Sequence, residues 1–264
     1  MKIVVLVKYV PDASGERTFA ADGTLDRGAS DGLLSELDEY ALEQALRIAD
    51  DADDADGDVE VVALTLGPDA AADAIKRALQ MGATSGIRVT DDAVHGTDYL
   101  GTSTILAAAV AKAAPDLVLC GMASTDGSGG VVPAMVAERL GWPAVTFGAT
   151  LELVEGGVRI RRDGDTATLV VEAALPAVVS VTDQSGEARY PSMRGILAAK
   201  KKPVETWDLA DLGVDPAGVG LGAAWTTVLE AQPRPPKQAG QIVTDDGGAG
   251  SVALVEFLTA GKYV

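Results

Sequence analysis

The sequence predicts an α/β protein with a mostly parallel, twisted sheet and helices on both faces of that sheet. Two patterns in the first two-thirds of the chain support this fold class. Short apolar runs continue without polar alternation, as is typical of strands that are covered on both faces. Amphipathic segments with helical spacing separate these runs, and repetition of strand, helix and strand indicates a parallel sheet.

The candidate elements follow one another along the chain. The predicted strands of the parallel sheet are residues 3–7, 59–66, 86–89, 117–120 and 144–147. The predicted helices are residues 35–49, 69–80 and 99–113. Gly82 directly follows the second helix, where glycine is a typical C-terminal stop.

The region after Gly148 has a different pattern, which favours antiparallel strands. We predict two such strands, with tight turns at Gly156-Gly157 and at Gly164, and then a buried strand at residues 177–181. The predicted fold therefore has antiparallel strands in addition to the parallel sheet.

The chain after Trp207 loses its periodicity and contains Pro233, Pro235 and Pro236 before a short helix near residues 251–260. We therefore predict an α/β domain at residues 1–207 and a C-terminal arm at residues 208–264. A tail of this kind buries little surface by itself. It is either an arm that lies on a partner, which would cover the apolar side chains of the final helix, or a free terminus.

Composition disfavours several classes of function. The formal net charge of −18 repels nucleic-acid phosphates, so no nucleic-acid partner is expected. With Cys120 as the one cysteine and His95 as the one histidine, we expect no disulfide, no metal site and no catalytic triad. No apolar run approaches the roughly 20 residues that span a bilayer. We therefore predict a soluble, cytoplasmic protein without membrane insertion and without catalytic residues.

The stretch from Cys120 to Pro143 is the most informative local feature, because a buried strand ends there in a glycine-rich loop that opens into a helix. The start of a helix leaves backbone N–H groups unpaired and attracts anions. The glycines allow the backbone to approach an anion closely, and Ser124, Thr125 and Ser128 add hydroxyl groups. The loop is neither a P-loop nor a dinucleotide fingerprint, so nucleotide binding and a purely structural turn both remain possible.

Two other turns also follow predicted strands, one around Pro11 and Gly15 and one at Gly67-Pro68. Since the carboxyl ends of parallel strands meet at one edge of a sheet, the three turns could line one crevice.

Residues 187–207 begin with polar residues, present Tyr190 and Met193 beside prolines and glycines, and include three lysines at 200–202. The simpler interpretation is a loop that leads into a short helix with solvated lysines. The alternative is a docking loop, because a flexible methionine beside an aromatic ring makes an adaptable apolar anchor.

These segments together resemble the β subunit of electron-transfer flavoproteins. The similar stretches, in chain order, are VLVKYVPD, LDEYALEQAL, LTLGPDAAADAIKRALQMGA, DLVLCGMASTDGSGGVVPAMVAERLGWP, LPAVVSV and EARYPSMRGILAAKKKPVE. The resemblance implies an α/β domain with a Rossmann-like sheet of the adenine nucleotide hydrolase type. It also implies an extended C-terminal arm that contacts a larger α subunit, which holds a redox-active FAD near the subunit boundary.

In most members of this family the β subunit buries AMP, whereas in electron-bifurcating members a second FAD occupies that place. Carried over by position, the cofactor-binding residues are Leu6, Val7, Ser35, Leu66, Gly67, Asp126, Gly127, Ser128, Gly129, Gly130, Val131 and Val132. The family often has asparagine in place of Ser35 and polar residues in place of Gly130, Val131 and Val132. Side-chain donors to a phosphate are therefore fewer here, and the choice between AMP and FAD stays open.

The 187–202 segment matches the recognition loop of the family, in which a leucine inserts into partner dehydrogenases. Met193 occupies the place of that leucine, and we expect Tyr190 and Ile196 to contribute to docking. A methionine can fill the same kind of apolar pocket.

The resemblance implies an electron carrier that takes electrons from acyl-CoA dehydrogenases of fatty acid β-oxidation, or from similar flavoenzymes. It delivers them to a membrane quinone oxidoreductase. One alternative is the β subunit of a bifurcating flavoprotein, which would be part of an NADH-oxidising enzyme. An alternative of another class is a stand-alone nucleotide-binding regulatory protein with the same sheet.

Overall fold

The apolar runs of the sequence form parallel strands in a computed structural model that describes residues 1–15, 17–29, 31–52, 58–232, 235 and 240–264. The strands are β1 (Lys2–Leu6), β2 (Tyr9–Pro11), β3 (Gly32–Leu34), β4 (Glu60–Leu66), β5 (Ser85–Val89), β6 (Leu117–Gly121), β7 (Ala144–Gly148), β8 (Thr150–Val154), β9 (Gly157–Asp163), β10 (Thr168–Ala174), β11 (Ala177–Val181) and β12 (Val204–Trp207). The helices are α1 (Glu36–Asp51), α2 (Ala72–Met81), α3 (Tyr99–Ala113), α4 (Val132–Leu140), α5 (Met193–Ala199) and α6 (Ala249–Ala260).

The main sheet has seven strands in the order β12-β5-β4-β1-β6-β11-β7, and each neighbouring pair is parallel. Alternate side chains of β1 pack into two cores: Ile3 and Val5 face α1 and α2, while Val4 faces α3 and α4. Both faces of the sheet are therefore covered, which explains the continuous apolar runs. The predicted fold class is confirmed.

Three predicted helices form close to their predicted bounds because their apolar stripes fit the sheet. Helix α2 ends at Gly82, whose φ of +146° suits glycine and whose N–H donates to the carbonyl of Ala78. A Cβ atom at Gly82 would also lie 2.9 Å from a methyl group of Leu46. The predicted stop is confirmed, for reasons of both conformation and packing.

The region after Gly148 forms three antiparallel strands in the order β10-β9-β8, so the prediction of two strands was wrong. Val158 and Ile160 of the central strand β9 are buried in the core, whereas β8 and β10 have no fully buried residue. Because β8 and β10 have no buried position, their sequences alternate only weakly between apolar and polar residues. Strand β11 then joins the parallel sheet beside β6, as the buried strand predicted at residues 177–181.

Contacts divide the chain into two units, Met1–Ala231 and Gln232–Val264. The sequence-based division after Trp207 places residues 208–231 in the arm, whereas they belong to the first unit in the structure. Leu209 and Val219 explain this difference, because both are buried in the core on the α3 side. The second unit contains α6, and its prolines Pro233 and Pro236 lie outside the described residues.

An ion-pair cluster centred on Glu43 of α1 anchors the start of the 187–202 segment. Arg189 donates from its side chain to Glu43 at 2.7 and 3.2 Å and from its backbone N–H at 3.1 Å. Arg47 also donates to Glu43, at 2.9 Å. Burial acts to raise the pKa of Glu43, but the hydrogen bonds from Arg189 and Arg47 hold that pKa below its usual range. The carboxylate thus stays ionised and ties the segment to α1.

Replacement of Glu43 should destabilise the fold, because it leaves Arg189 without its main acceptor. We expect Glu43→Gln to lower the free energy of unfolding by about 2 kcal/mol, less than for a fully enclosed ion pair because water reaches Arg189. Urea unfolding at pH 7 measures this loss. The control Glu172→Gln removes a carboxylate from an exposed pair with Arg159 and should leave the free energy of unfolding nearly unchanged.

The same experiment has a defined pH dependence. A carboxylate whose folded-state pKa is depressed stabilises the fold above its unfolded pKa, and this contribution disappears as pH falls through the folded-state value. The difference between wild type and Glu43→Gln should therefore be complete above the ordinary glutamate pKa of 4.5 and shrink below it. A difference that stays constant into acid would show that the charge of Glu43 contributes nothing.

Candidate functional site

The carboxyl ends of β1 and β6 form a topological switch point. The two strands are neighbours in the sheet. After β1 the chain passes to α1 on one face, and after β6 it passes to α4 on the opposite face. The two connections diverge at this point, and open α/β sheets bind ligands between such connections. We refer to the region between them as the crevice.

Asp38 of α1 bridges the two strands at this crevice. Its carboxylate accepts hydrogen bonds from the backbone N–H of Lys8, at 2.9 Å, and from that of Gly121. Burial raises the pKa of Asp38 to about 7, although these hydrogen bonds and the charge of Lys8 act in the opposite direction. Gly121 is needed for this approach, because a Cβ atom there would lie 2.6 Å from Asp38 Oδ1.

Asp126 is the centre of a second cluster, in the loop between β6 and α4. Lys8 Nζ lies 2.8 Å from one carboxylate oxygen, and Arg27 Nη2 lies 2.8 Å from the other. Burial opposes ionisation of Asp126, but the charge of Lys8 and hydrogen bonds from Lys8, Ser124 and Arg27 hold its pKa well below the usual range. The Asp126 side chain is only 3% exposed, compared with 39% for Lys8 and 33% for Arg27.

The same cluster determines the conformation of the glycine-rich loop. The N–H of Gly127 donates to Asp126 Oδ1 at 2.6 Å and to Ser124 Oγ at 3.2 Å. Arg17 donates to the carbonyl of Thr125 at 3.0 Å, and the hydroxyl of Tyr99 donates to the carbonyl of Gly127, also at 3.0 Å. The loop is therefore held by side chains from three other parts of the chain.

Two glycines of the loop have structural reasons for their position. A Cβ atom at Gly129 would lie 2.2 Å from the hydroxyl oxygen of Tyr99, and Gly130 has a φ of +64°. Packing and backbone conformation thus explain these glycines even without a ligand. Helix α4 begins after Val131 and has Pro133 in its first turn. No described side chain caps the helix, so its first N–H groups are free of side-chain acceptors.

The structure brings most of the predicted pocket to one edge of the sheet. Leu6 and Val7 are buried at the end of β1, and Leu66 and Gly67 lie at the end of the adjacent β4. Gly67 donates its N–H to the carbonyl of Val89 in β5. The remaining predicted residues, Asp126, Gly127, Ser128, Gly129, Gly130, Val131 and Val132, form the loop and first turn that follow β6.

Ser35 directly precedes α1 and is fully buried. Its backbone bonds to Lys8, which places it beside the end of β1. Its hydroxyl group makes no hydrogen bond within the described residues and does not cap the helix. A buried hydroxyl without a partner is unfavourable, as it also is at Thr65 and Ser185, so this atom is a candidate for a bond to a bound polar group.

Five residues of the crevice were not predicted from the sequence: Lys8, Arg17, Arg27, Asp38 and Tyr99. Only Lys8 carried a signal, because it directly follows a predicted strand. Arg17 and Arg27 lie in the connection between β2 and β3, which has no periodicity, and tertiary folding alone brings them to the loop.

The predicted docking residues lie at the surface around α5. Tyr190 and Met193 are 88% and 75% exposed, whereas Ile196 is half-buried. Leu197, one helical turn after Met193, is 62% exposed and extends the apolar surface on the same side of the helix. Ser192 caps the helix by accepting from the N–H of Gly195 at 3.0 Å.

The described part of the chain was also examined for metal-binding groups and for membrane-spanning helices. It contains no group of three or more histidine, cysteine, aspartate or glutamate side chains that could hold a metal ion. None of its helices combines the length and the apolar composition required to cross a membrane.

Comparison with known proteins gives a consistent result. The family model described as "Electron transfer flavoprotein domain" matches residues 22–212. The electron transfer flavoprotein subunit beta of Mycobacterium tuberculosis H37Rv is 44% identical over 266 residues, which cover 99% of both chains. The protein of the same name from Megasphaera elsdenii is 30% identical over 274 residues and all of both chains.

A relative with a different name comes from Acetobacterium woodii. This protein, the caffeyl-CoA reductase-Etf complex subunit CarD, is 32% identical over 245 residues, which cover 92% of both chains. The matches thus extend over the crevice, the glycine-rich loop and the segment around α5. The chain belongs to the electron transfer flavoprotein family, as a member of its β subunits.

Proposed function

We propose that this chain is the β subunit of an αβ electron carrier that accepts electrons from acyl-CoA dehydrogenases or similar flavoenzymes. The complex passes these electrons to a membrane quinone oxidoreductase. The FAD that carries the electrons is shared with the α subunit, and this chain holds AMP in the crevice between β1 and β6. The chain itself breaks no bond, and the complex works in the cytoplasm.

The buried, unpartnered hydroxyl of Ser35 is the observation on which the nucleotide proposal rests most directly. It lies beside the end of β1, at the edge of the sheet that also presents the glycine-rich loop and the uncapped start of α4. A hydroxyl that can bond to a ribose or base, next to N–H groups suited to a phosphate, fits an adenine nucleotide.

The second candidate is a complex in which a second FAD replaces AMP and accepts hydride from NADH. The similarity to CarD, which is a subunit of a reductase complex, supports this second candidate. A stand-alone regulatory protein is not favoured, because relatives named as electron transfer subunits match the chain along almost its whole length.

The stoichiometry of bound nucleotides distinguishes these candidates. We expect the purified αβ complex, after denaturation and mass measurement of the released ligands, to yield one FAD and one AMP per heterodimer. Two FAD per heterodimer, together with reduction by NADH, would replace the carrier proposal with the bifurcating one. A chain that purifies without a flavin-bearing α subunit and without nucleotide would refute both.

The surface around α5 is the proposed docking site for dehydrogenases. Tyr190, Met193 and Leu197 present apolar groups to solvent, while Glu43 and Arg189 tie the preceding backbone to α1. The far end of the segment is also held, because Lys202 Nζ donates to the carbonyls of Leu79, at 3.0 Å, and Gly82, at 3.1 Å. A rigidly held apolar projection loses little entropy on binding.

Truncation of Met193 should therefore impair docking without affecting the flavin. We expect Met193→Ala to slow electron transfer from an acyl-CoA dehydrogenase about tenfold under subsaturating conditions, as is typical for loss of an interface anchor. The rate follows from stopped-flow reduction of the αβ flavin, and the flavin content from its absorbance. Leu169→Ala, at an apolar side chain of β10 that is 51% exposed, is the control and should leave the rate unchanged. An unchanged rate in Met193→Ala would remove this residue from the docking site.

The C-terminal unit is proposed to contact the α subunit. Leu254 and Phe257 of α6 are exposed apolar side chains. A larger partner that covers them would remove this apolar surface from water.

A further inference from the structure

The crevice concentrates positive charge in a chain whose net charge is −18. Lys8 and Arg27 pair with Asp126, and Arg17 contacts the same loop through the carbonyl of Thr125. The charge of Lys8 also acts on the buried carboxylate of Asp38. The three cations outnumber these two carboxylates, so positive charge remains among these groups after pairing.

The geometry presents the cations, and not the carboxylate, to solvent. Asp126 is almost completely buried, whereas Lys8 and Arg27 are each about one-third exposed. An anion that enters the crevice from solvent therefore meets Lys8 and Arg27 before it meets Asp126. Because Asp126 lies behind these cations, its role is to hold them in position rather than to repel the ligand.

The cations also have donors that form no hydrogen bond within the described part of the chain. Lys8 Nζ donates to Asp126 and Ser124, which leaves one of its three N–H groups. Within the described residues, Arg27 bonds to Tyr9 and Asp126, and Arg17 bonds to Thr125, although a guanidinium has five N–H groups. Several charge-assisted donors thus remain for a ligand at the loop.

The side-chain donors of the loop are the neutral hydroxyl groups of Ser124, Thr125 and Ser128, and the end of the loop that leads into α4 offers none. Gly130, Val131 and Val132 carry none, so a phosphate at the start of α4 could bind only to backbone N–H groups from these residues. Charged side chains from outside the loop would supply what the loop lacks.

We propose that Lys8, Arg17 and Arg27 form a cationic subsite that binds the phosphate group of the nucleotide from the solvent side. This inference rests on the proposed function, because it assumes that the crevice holds an adenine nucleotide. It assigns ligand contacts to the β2–β3 connection, which is distant in sequence from the glycine-rich loop.

Arg17 is the best residue for a test, because its described hydrogen bond is to a backbone carbonyl and its loss leaves no carboxylate unpaired among the described residues. The experiment measures dissociation constants for the αβ complex by exchange of bound AMP against labelled AMP. Unlabelled adenosine and inorganic phosphate serve as competitors. The variants are Arg17→Gln and the charge-retaining Arg17→Lys. Arg161→Gln is the control, because it removes a half-exposed arginine from the three-stranded sheet.

We expect Arg17→Gln to weaken AMP binding about tenfold and to leave adenosine binding within about twofold, because adenosine has no phosphate. Arg17→Lys should recover part of the loss, and Arg161→Gln should have no effect. Wild-type affinity for AMP should also fall as salt is raised, more steeply than in Arg17→Gln.

Three results would overturn the proposal. The first is an unchanged AMP affinity in Arg17→Gln, with wild type still preferring AMP to adenosine. The second is an equal loss for AMP and adenosine, which would indicate a structural effect. The third is inorganic phosphate binding as tightly as AMP, which would make the subsite one for a free anion. A wild-type complex that bound neither AMP nor adenosine would instead refute the nucleotide site itself.

Discussion

The buried carboxylate of Asp126 is the interaction on which the crevice depends. It lies in the loop after β6, where it accepts a hydrogen bond from the next N–H. It pairs with Lys8 at the end of β1 and with Arg27 in the β2–β3 connection. Burial of a carboxylate is costly unless cations and hydrogen bonds compensate for the lost hydration. Two cations, Ser124 and the N–H of Gly127 provide that compensation. One ionised group therefore fixes the relative positions of three segments that are remote in sequence.

The order of the sheet makes this cluster possible. Because β1 and β6 are adjacent and their connections leave toward opposite faces, the sheet opens where Asp38 and Asp126 lie. Asp38 links the two strands through backbone N–H groups, and Asp126 links the loops above them. The two carboxylates differ in environment: burial raises the pKa of Asp38 to about 7, whereas the adjacent cations keep Asp126 ionised. The architecture thus places one carboxylate that can titrate near neutral pH beside one that stays charged.

Local pattern was sufficient to predict the main sheet, three of its helices, the helical stop at Gly82 and the edge at which the crevice lies. Strand β12 was missed because it is an edge strand whose residues are exposed except for Trp207, so it has no continuous apolar run. The antiparallel pair of β2 and β3 was missed because each strand has only three residues. Arg17 and Arg27 could not be predicted as part of the crevice, since their contacts depend on how the β2–β3 connection folds back over a loop about a hundred residues away.

The central claim is that the crevice is built for an adenine nucleotide, and the hydroxyl of Ser35 tests it most directly. Ser35→Ala removes an atom that bonds to nothing in the described protein, so the free energy of unfolding of the ligand-free complex should change by less than about 0.5 kcal/mol. AMP affinity, in contrast, should fall roughly tenfold. The control Thr84→Ala removes a hydroxyl that accepts from the backbone N–H of Val61 near the amino ends of β4 and β5. This change should leave AMP affinity unchanged. AMP affinity in Ser35→Ala equal to that of wild type would contradict the assignment of this crevice to the nucleotide.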